Sequence, residues 1–187
     1  MLGSDECYGS CMESTEQPIK NFIELLWGEF NSIRTNGYKI APLILGFSLI
    51  EACAKLTAPK DDKYQSSRAR FEWWVNKFLT DKAGQPYSTT ELYSARCGLF
   101  HEYGPYSDIS RKKECLPISW TIGHPELHKR AEADFVFYSR ETFFEDLGGA
   151  GIKMLHEMKT DHDMRARFSK GIEFIFGAYP ITKSKPQ

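Results

Sequence analysis

The stretch from Pro42 to Pro59 constrains this chain most. Between the two prolines, Leu43 to Leu56 is apolar on nearly every side of a helix and is interrupted only by Ser48, Glu51 and Lys55. A helix that borders solvent carries its apolar residues as a stripe, so one that is apolar all round must be surrounded by other elements. The run is also shorter than the roughly 18 residues that a membrane-spanning helix needs. The sequence therefore predicts a central buried helix around which the rest of the chain packs.

The segments on either side supply the partners. Ile19, Phe22, Ile23, Leu26, Phe30 and Ile33 recur at helical spacing, with Pro18 in the first turn and Asn36-Gly37 as a stop. Phe71, Trp74, Val75 and Phe78 mark a third helix that ends around Asp81 to Pro86. Ser88 with Glu91 three positions on forms a capping-box pattern, and Leu92, Ala95, Leu99 and Tyr103 carry the stripe of a fourth helix to Gly104-Pro105. Helical spacing returns with Phe143, Phe144, Leu147, Ile152 and Leu155, and again after Asp161, whose side chain suits a helix cap, with Met164, Phe168, Ile172, Ile175 and Phe176.

Between Tyr106 and Arg140 the period is lost. Two β-like runs, Leu116 to Ile122 and Ala133 to Tyr138, flank Gly123-His124-Pro125 and predict a hairpin. The expected fold is thus mainly α: an up-and-down bundle of about five to six helices with a small β-hairpin-like insertion at 106–140. A single domain would span 15–177, with a flexible arm at 1–14 and a flexible tail at 178–187. Gly148-Gly149-Ala150-Gly151 lacks the preceding strand and the lysine of a phosphate-binding loop, so it reads as a helix kink or a point of close packing.

Composition excludes several classes. A net charge of -1 over 187 residues argues against a protein that coats nucleic acid through many phosphate contacts. The five cysteines, an odd number in a chain able to bury a large core, read as reduced thiols, with Cys53 and Cys97 inside apolar helices. Met1 to Glu13 has neither a basic start nor an apolar stretch, so no secretory or transit signal is expected and the cytoplasm is the expected compartment. Cys7, Cys11, His124 and His128 have spacings compatible with zinc, but Pro125 favours a turn and the two pairs are far apart. No metal and no cofactor are therefore expected.

The fourth helix carries the chemistry. Arg96 and His101 lie five positions apart near the end of an otherwise apolar stretch. Arginine is permanently cationic and grips phosphate through two nitrogens, while histidine exchanges a proton near neutral pH, a pairing suited to phosphodiester cleavage. On a straight helix five positions separate the two side chains by about 140°. Either Gly98 widens the helix locally, or the two side chains serve a cleft that a second copy of the helix completes. Glu51, costly to bury unpaired, is the natural partner of Arg96 or His101, or else it sits on a solvent-facing edge. Ser48 and Tyr93, each one turn from a member of this cluster, and Glu102 beside His101 could support it. Arg111, Lys112 and Lys113 follow the motif helix and could meet an RNA backbone or lie in a solvated loop.

The run LYSARCGLFHEY, with its R-x-x-x-x-H spacing, resembles the motif helix of the HEPN superfamily, and LGFSLIEACAKL resembles that family's earlier core helix with its acidic residue at Glu51. The similarity in helix order extends over roughly 18–177. It implies a helical bundle that dimerises and, in active members, a metal-independent endoribonuclease. Arg96 would hold the scissile phosphate and His101 would act as general acid or base, leaving a 2′,3′-cyclic phosphate. A toxin with a cognate antitoxin, or a defence or stress nuclease, is the implied biological role. Cys97 departs from the polar residue that often follows the arginine in active members. That departure favours the alternative of a non-catalytic nucleotide- or RNA-binding or dimerisation module. A third reading makes Glu51, Arg96 and His101 a buried polar network that only specifies helix packing.

Overall fold

The computed structural model describes residues 22, 27–80, 86–124, 129–130 and 134–176, with the backbone alone for 129–130 and 173–176. The expected arm at 1–14, the expected tail at 178–187 and the candidate ligands Cys7, Cys11 and His128 lie outside these residues.

The described chain is mainly helical. Helix α1 (Gly28–Thr35) stops at Asn36, and Gly37 follows with φ of 77°, a conformation that costs glycine little. Helix α2 (Ala41–Thr57) is the predicted central element, with Pro42 in its first turn, but it is not enclosed on every side: its buried residues, among them Leu43, Phe47, Ile50, Cys53 and Ala54, cover about half of its circumference, and the face with Ser48, Glu51 and Lys55 is partly exposed. It packs against α1, against α3 (Ser67–Trp74), against α4 (Thr89–Glu102), and against α6 (Arg140–Glu157) and α7 (His162–Phe176). Its last turn is closed from outside, because Arg167 Nη2 donates to the Thr57 carbonyl at 3.0 Å. The α3 helix starts on the Ser66 hydroxyl, which accepts from Ala69 N, and widens into a π-turn at Val75–Leu79. From there Trp74 donates its indole N–H to Met154 Sδ on α6 at 3.4 Å.

The insertion departs from its prediction. The two β-like runs form β1 (Ile118–Thr121) and β3 (Val136–Ser139), and they pair in parallel, with Ile118 opposite Val136 and Trp120 opposite Tyr138. They are not the two arms of a hairpin. A third, two-residue strand, β2 (Lys129–Arg130), runs antiparallel to the other edge of β3, giving the order β1-β3-β2. A hairpin between the runs required the chain to reverse tightly at Gly123-His124-Pro125. The connection 122–135 is instead long enough for the crossover that parallel strands need. A one-turn helix that the periodicity missed, α5 (Asp108–Arg111), precedes the sheet and is capped by Ser107.

The core joins the sheet to the helices through aromatic rings. Phe143 on α6 lies 5.3 Å from Phe47 on α2, 5.3 Å from Trp120 on β1 and 5.7 Å from Tyr138 on β3, measured between centroids. Gly46 makes room for this ring, since a Cβ there would lie 3.0 Å from Phe143 Cε1. Of the glycine cluster only Gly151 is a point of close packing: α6 is α-helical throughout, a Cβ at Gly151 would stand 2.6 Å from the Trp27 ring, and one at Gly148 or Gly149 would meet nothing within 4 Å. Asp161 caps α7 as expected, accepting from Met164 N at 2.8 Å. Behind the rings, the buried Tyr138 donates to Asp146 at 3.0 Å, and desolvation pushes its phenol well above the ordinary range.

Candidate functional site

Helix α4 presents the motif, and both of its ends are held. At its start the full capping box forms: Glu91 N donates to Ser88 Oγ at 3.2 Å and Ser88 N donates to Glu91 Oε2 at 2.7 Å. At its end Tyr103 adopts the left-handed conformation (φ 52°) and donates its N–H to the Gly98 carbonyl. The chain then doubles back over the helix, and the Ser94 and Ser107 hydroxyls bond across at 2.6 Å.

Gly98 serves this return. A Cβ at position 98 would lie 2.5 Å from the Tyr106 carbonyl oxygen and 2.8 Å from that of Gly104, both backbone atoms that a rotamer change cannot move. The helix remains α-helical through Glu102, so glycine admits the crossing backbone rather than widening the turn between Arg96 and His101. Gly98→Ala is expected to destabilise the protein by about 1–3 kcal/mol through overpacking. Gly149→Ala, with nothing within 4 Å of its Cβ position, should stabilise by about 0.5–1 kcal/mol through helix propensity. Urea unfolding of the two variants measures both, and stabilisation by Gly98→Ala would contradict the crossing.

Arg96 and Glu51 come together as one of the two sequence alternatives required. Arg96 Nη2 stands 2.7 Å from Glu51 Oε1, with the two side chains 17% and 29% exposed. The guanidinium lies 4.7 Å over the ring of Phe100, one turn on, and its Nη1 is 3.9 Å from Cys97 Sγ. Burial works to lower the Arg96 pKa, but the hydrogen bond and charge of Glu51 prevail and raise it above the usual arginine value. Arg96 Nε is buried without a hydrogen-bond partner among the described residues. The side chain is thus held in place by carboxylate and ring, at the edge of a recess of about 270 Å³.

His101 is not part of this contact. It is exposed on the last turn of α4 and its imidazole makes no hydrogen bond with the described residues; Tyr103 (75%) and Tyr106 (45%), which follow it in the chain, are exposed too. Within one chain, then, arginine and histidine occupy different faces of one regular helix.

The supporting residues divide. Tyr93 joins the Arg96 neighbourhood, with burial raising its pKa and Cys97 and Arg96 among its electrostatic neighbours. Ser48 spends its hydroxyl on its own helix, donating to the Ile44 carbonyl at 3.0 Å. Glu102 forms a forked pair with Arg111, whose Nη1 is also 3.6 Å from Asp108 Oδ1, and this partner holds the Glu102 carboxyl below the ordinary range. Arg111 is therefore committed to carboxylates, while Lys112 and Lys113 remain exposed. Of the thiols, Cys53 is fully buried and desolvation raises its pKa to about 12, whereas Cys97 and Cys115 are half-buried. Among the described residues no three His, Cys, Asp or Glu side chains gather as a metal site, and His124 is exposed.

Three residues around the recess escaped the sequence reading: Lys55, Ser67 and Arg70. One local signal existed, since Lys55 follows Glu51 by four positions and shares its helix face. No protein-family model, curated protein or solved structure matches this chain.

Proposed function

We propose that the chain is a HEPN-type, metal-independent endoribonuclease, an up-and-down helical bundle that acts as a homodimer. The observation that carries this reading is the Glu51–Arg96 pair at 2.7 Å, which fixes a guanidinium at the edge of an open recess. A preoriented cation of this kind is suited to the charge that develops on a phosphoryl group in the transition state. In the proposed step a base removes the 2′-hydroxyl proton, the 2′-oxygen attacks the adjacent phosphorus, and the 5′-oxygen leaves with a proton. His101 is the residue for one of these transfers. Because Arg96 and His101 occupy different faces of α4, the proposal places a second copy of α4 opposite the first, so that each copy supplies what the other lacks. Tyr103 and Tyr106, exposed and within five positions of His101 in the chain, offer faces on which bases can stack, and Lys112 and Lys113 offer charge for the backbone. A toxin, defence or stress role, with a cognate antitoxin as partner, follows from the same family reading.

The contact between Arg96 Nη1 and Cys97 favours a second reading, a binding module that holds a nucleotide or RNA end without turnover. The test is incubation of the full chain with structured and unstructured RNA in chelator, beside Arg96→Ala and His101→Ala, with product ends identified. Cleavage that leaves 2′,3′-cyclic phosphates and is lost in both variants is expected. A folded dimer that leaves every RNA intact would overturn the nuclease reading and favour the binding module instead.

A further inference from the structure

The recess beside Arg96 is walled by three helices. Glu51, Ala54 and Lys55 come from α2, Ser67 and Arg70 from α3, and Arg96 from α4. Three cations face one carboxylate there, and Glu51 is already paired with Arg96. Lys55 is exposed and has no ion-pair or hydrogen-bond partner among the described residues. Arg70 uses Nη1 to hold the Tyr64 and Gln65 carbonyls, at 3.0 and 2.5 Å, which leaves Nε and Nη2 uncommitted among those residues. Ser67 opens α3, where the first backbone N–H groups of a helix add partial positive charge. The volume, about 270 Å³, falls just below the roughly 300–1,000 Å³ of sites for drug-sized ligands. It suits a phosphate with part of its sugar.

We propose that this recess is a subsite for the phosphate of a nucleotide flanking the scissile bond, held by Lys55 and by Nε and Nη2 of Arg70, with the Glu51-paired Arg96 adding positive charge at its wall. The assignment of that phosphate to an RNA strand rests on the ribonuclease reading; the anion site itself rests on the three converging cations. Arginine forks match phosphate oxygens, and Lys55 adds a point charge at the mouth.

The test is calorimetric titration of the full chain with inorganic phosphate and, separately, with adenosine 5′-monophosphate at constant ionic strength. Wild type is compared with Lys55→Glu and with Lys39→Glu, an exposed position at the opposite end of α2. Saturable binding of both probes is expected, weakened about tenfold by Lys55→Glu, equivalent to roughly 1.4 kcal/mol, and little changed by Lys39→Glu. A response that does not saturate, or equal weakening by the two charge reversals, would overturn the subsite. Binding of inorganic phosphate with exclusion of the nucleotide would overturn its assignment to RNA. The titration reads no turnover, so a protein that fails to cut RNA yet binds both probes loses the ribonuclease reading and keeps the anion site.

Discussion

Alanine at position 101 is expected to lower RNA cleavage by about 10²–10⁴-fold, the usual contribution of a positioned general acid or base, and to leave thermal unfolding almost unmoved. The second half of that expectation comes from the structure. His101 is exposed and its imidazole forms no hydrogen bond with the described residues. Surface substitutions of this kind fall within about 0.5 kcal/mol of wild type. Arg96→Ala lacks this separation, because it also strands the Glu51 carboxylate in a half-buried position and removes the cation over Phe100. His101→Ala is therefore the cleaner probe of catalysis. Retained cleavage in a folded His101→Ala protein would remove histidine from the mechanism. A clear drop in its unfolding midpoint would favour the third reading, a network that only specifies packing.

Phe143→Ala is expected to cost about 3–5 kcal/mol, which for most domains of this size is a large part of the whole stability. The ring is fully buried and lies against α2 through Phe47 and against both parallel strands through Trp120 and Tyr138. Its removal opens a void where the sheet meets the helices, and the neighbouring rings, all anchored on different elements, cannot all close on it. Chemical denaturation measures the loss, and a value below about 1.5 kcal/mol, typical of a tolerated swap, would mean the cluster is looser than the distances indicate. Phe143→Leu should recover part of the loss by restoring volume without the edge-to-face contacts.

Much of this architecture is legible in the sequence. The central helix, its prolines, the Ser88–Glu91 capping box, the Asp161 cap and the stop at Asn36-Gly37 are local events, each decided within a few residues by backbone dihedrals and unsatisfied N–H groups. The hairpin failed for the same reason. Strand runs announce themselves by composition, but whether two runs pair parallel or antiparallel depends on a third strand and a long connection, neither of which leaves a period in the sequence.

The site shows the same division. Arg96, His101 and Glu51 stood out because charged residues within apolar helices demand a partner. Helical geometry alone put Arg96 and His101 on different faces of α4. Only the packing of α2 against α4 showed that Glu51 takes Arg96 and leaves His101 free, that Ser48 turns back on its own helix, and that Gly98 accommodates the returning backbone. Lys55, Arg70 and Arg96 come from three successive helices, and they converge because the cores of those helices pack together, burying Phe47, Phe71 and Leu92. The sequence by itself determined the long helical segments and marked Glu51, Arg96 and His101 as the charged residues in need of partners, since those follow from short-range sterics and the cost of burying charge. Which of those residues meet was decided by tertiary structure, because distances between side chains on separate helices depend on how apolar surfaces interlock across the whole core.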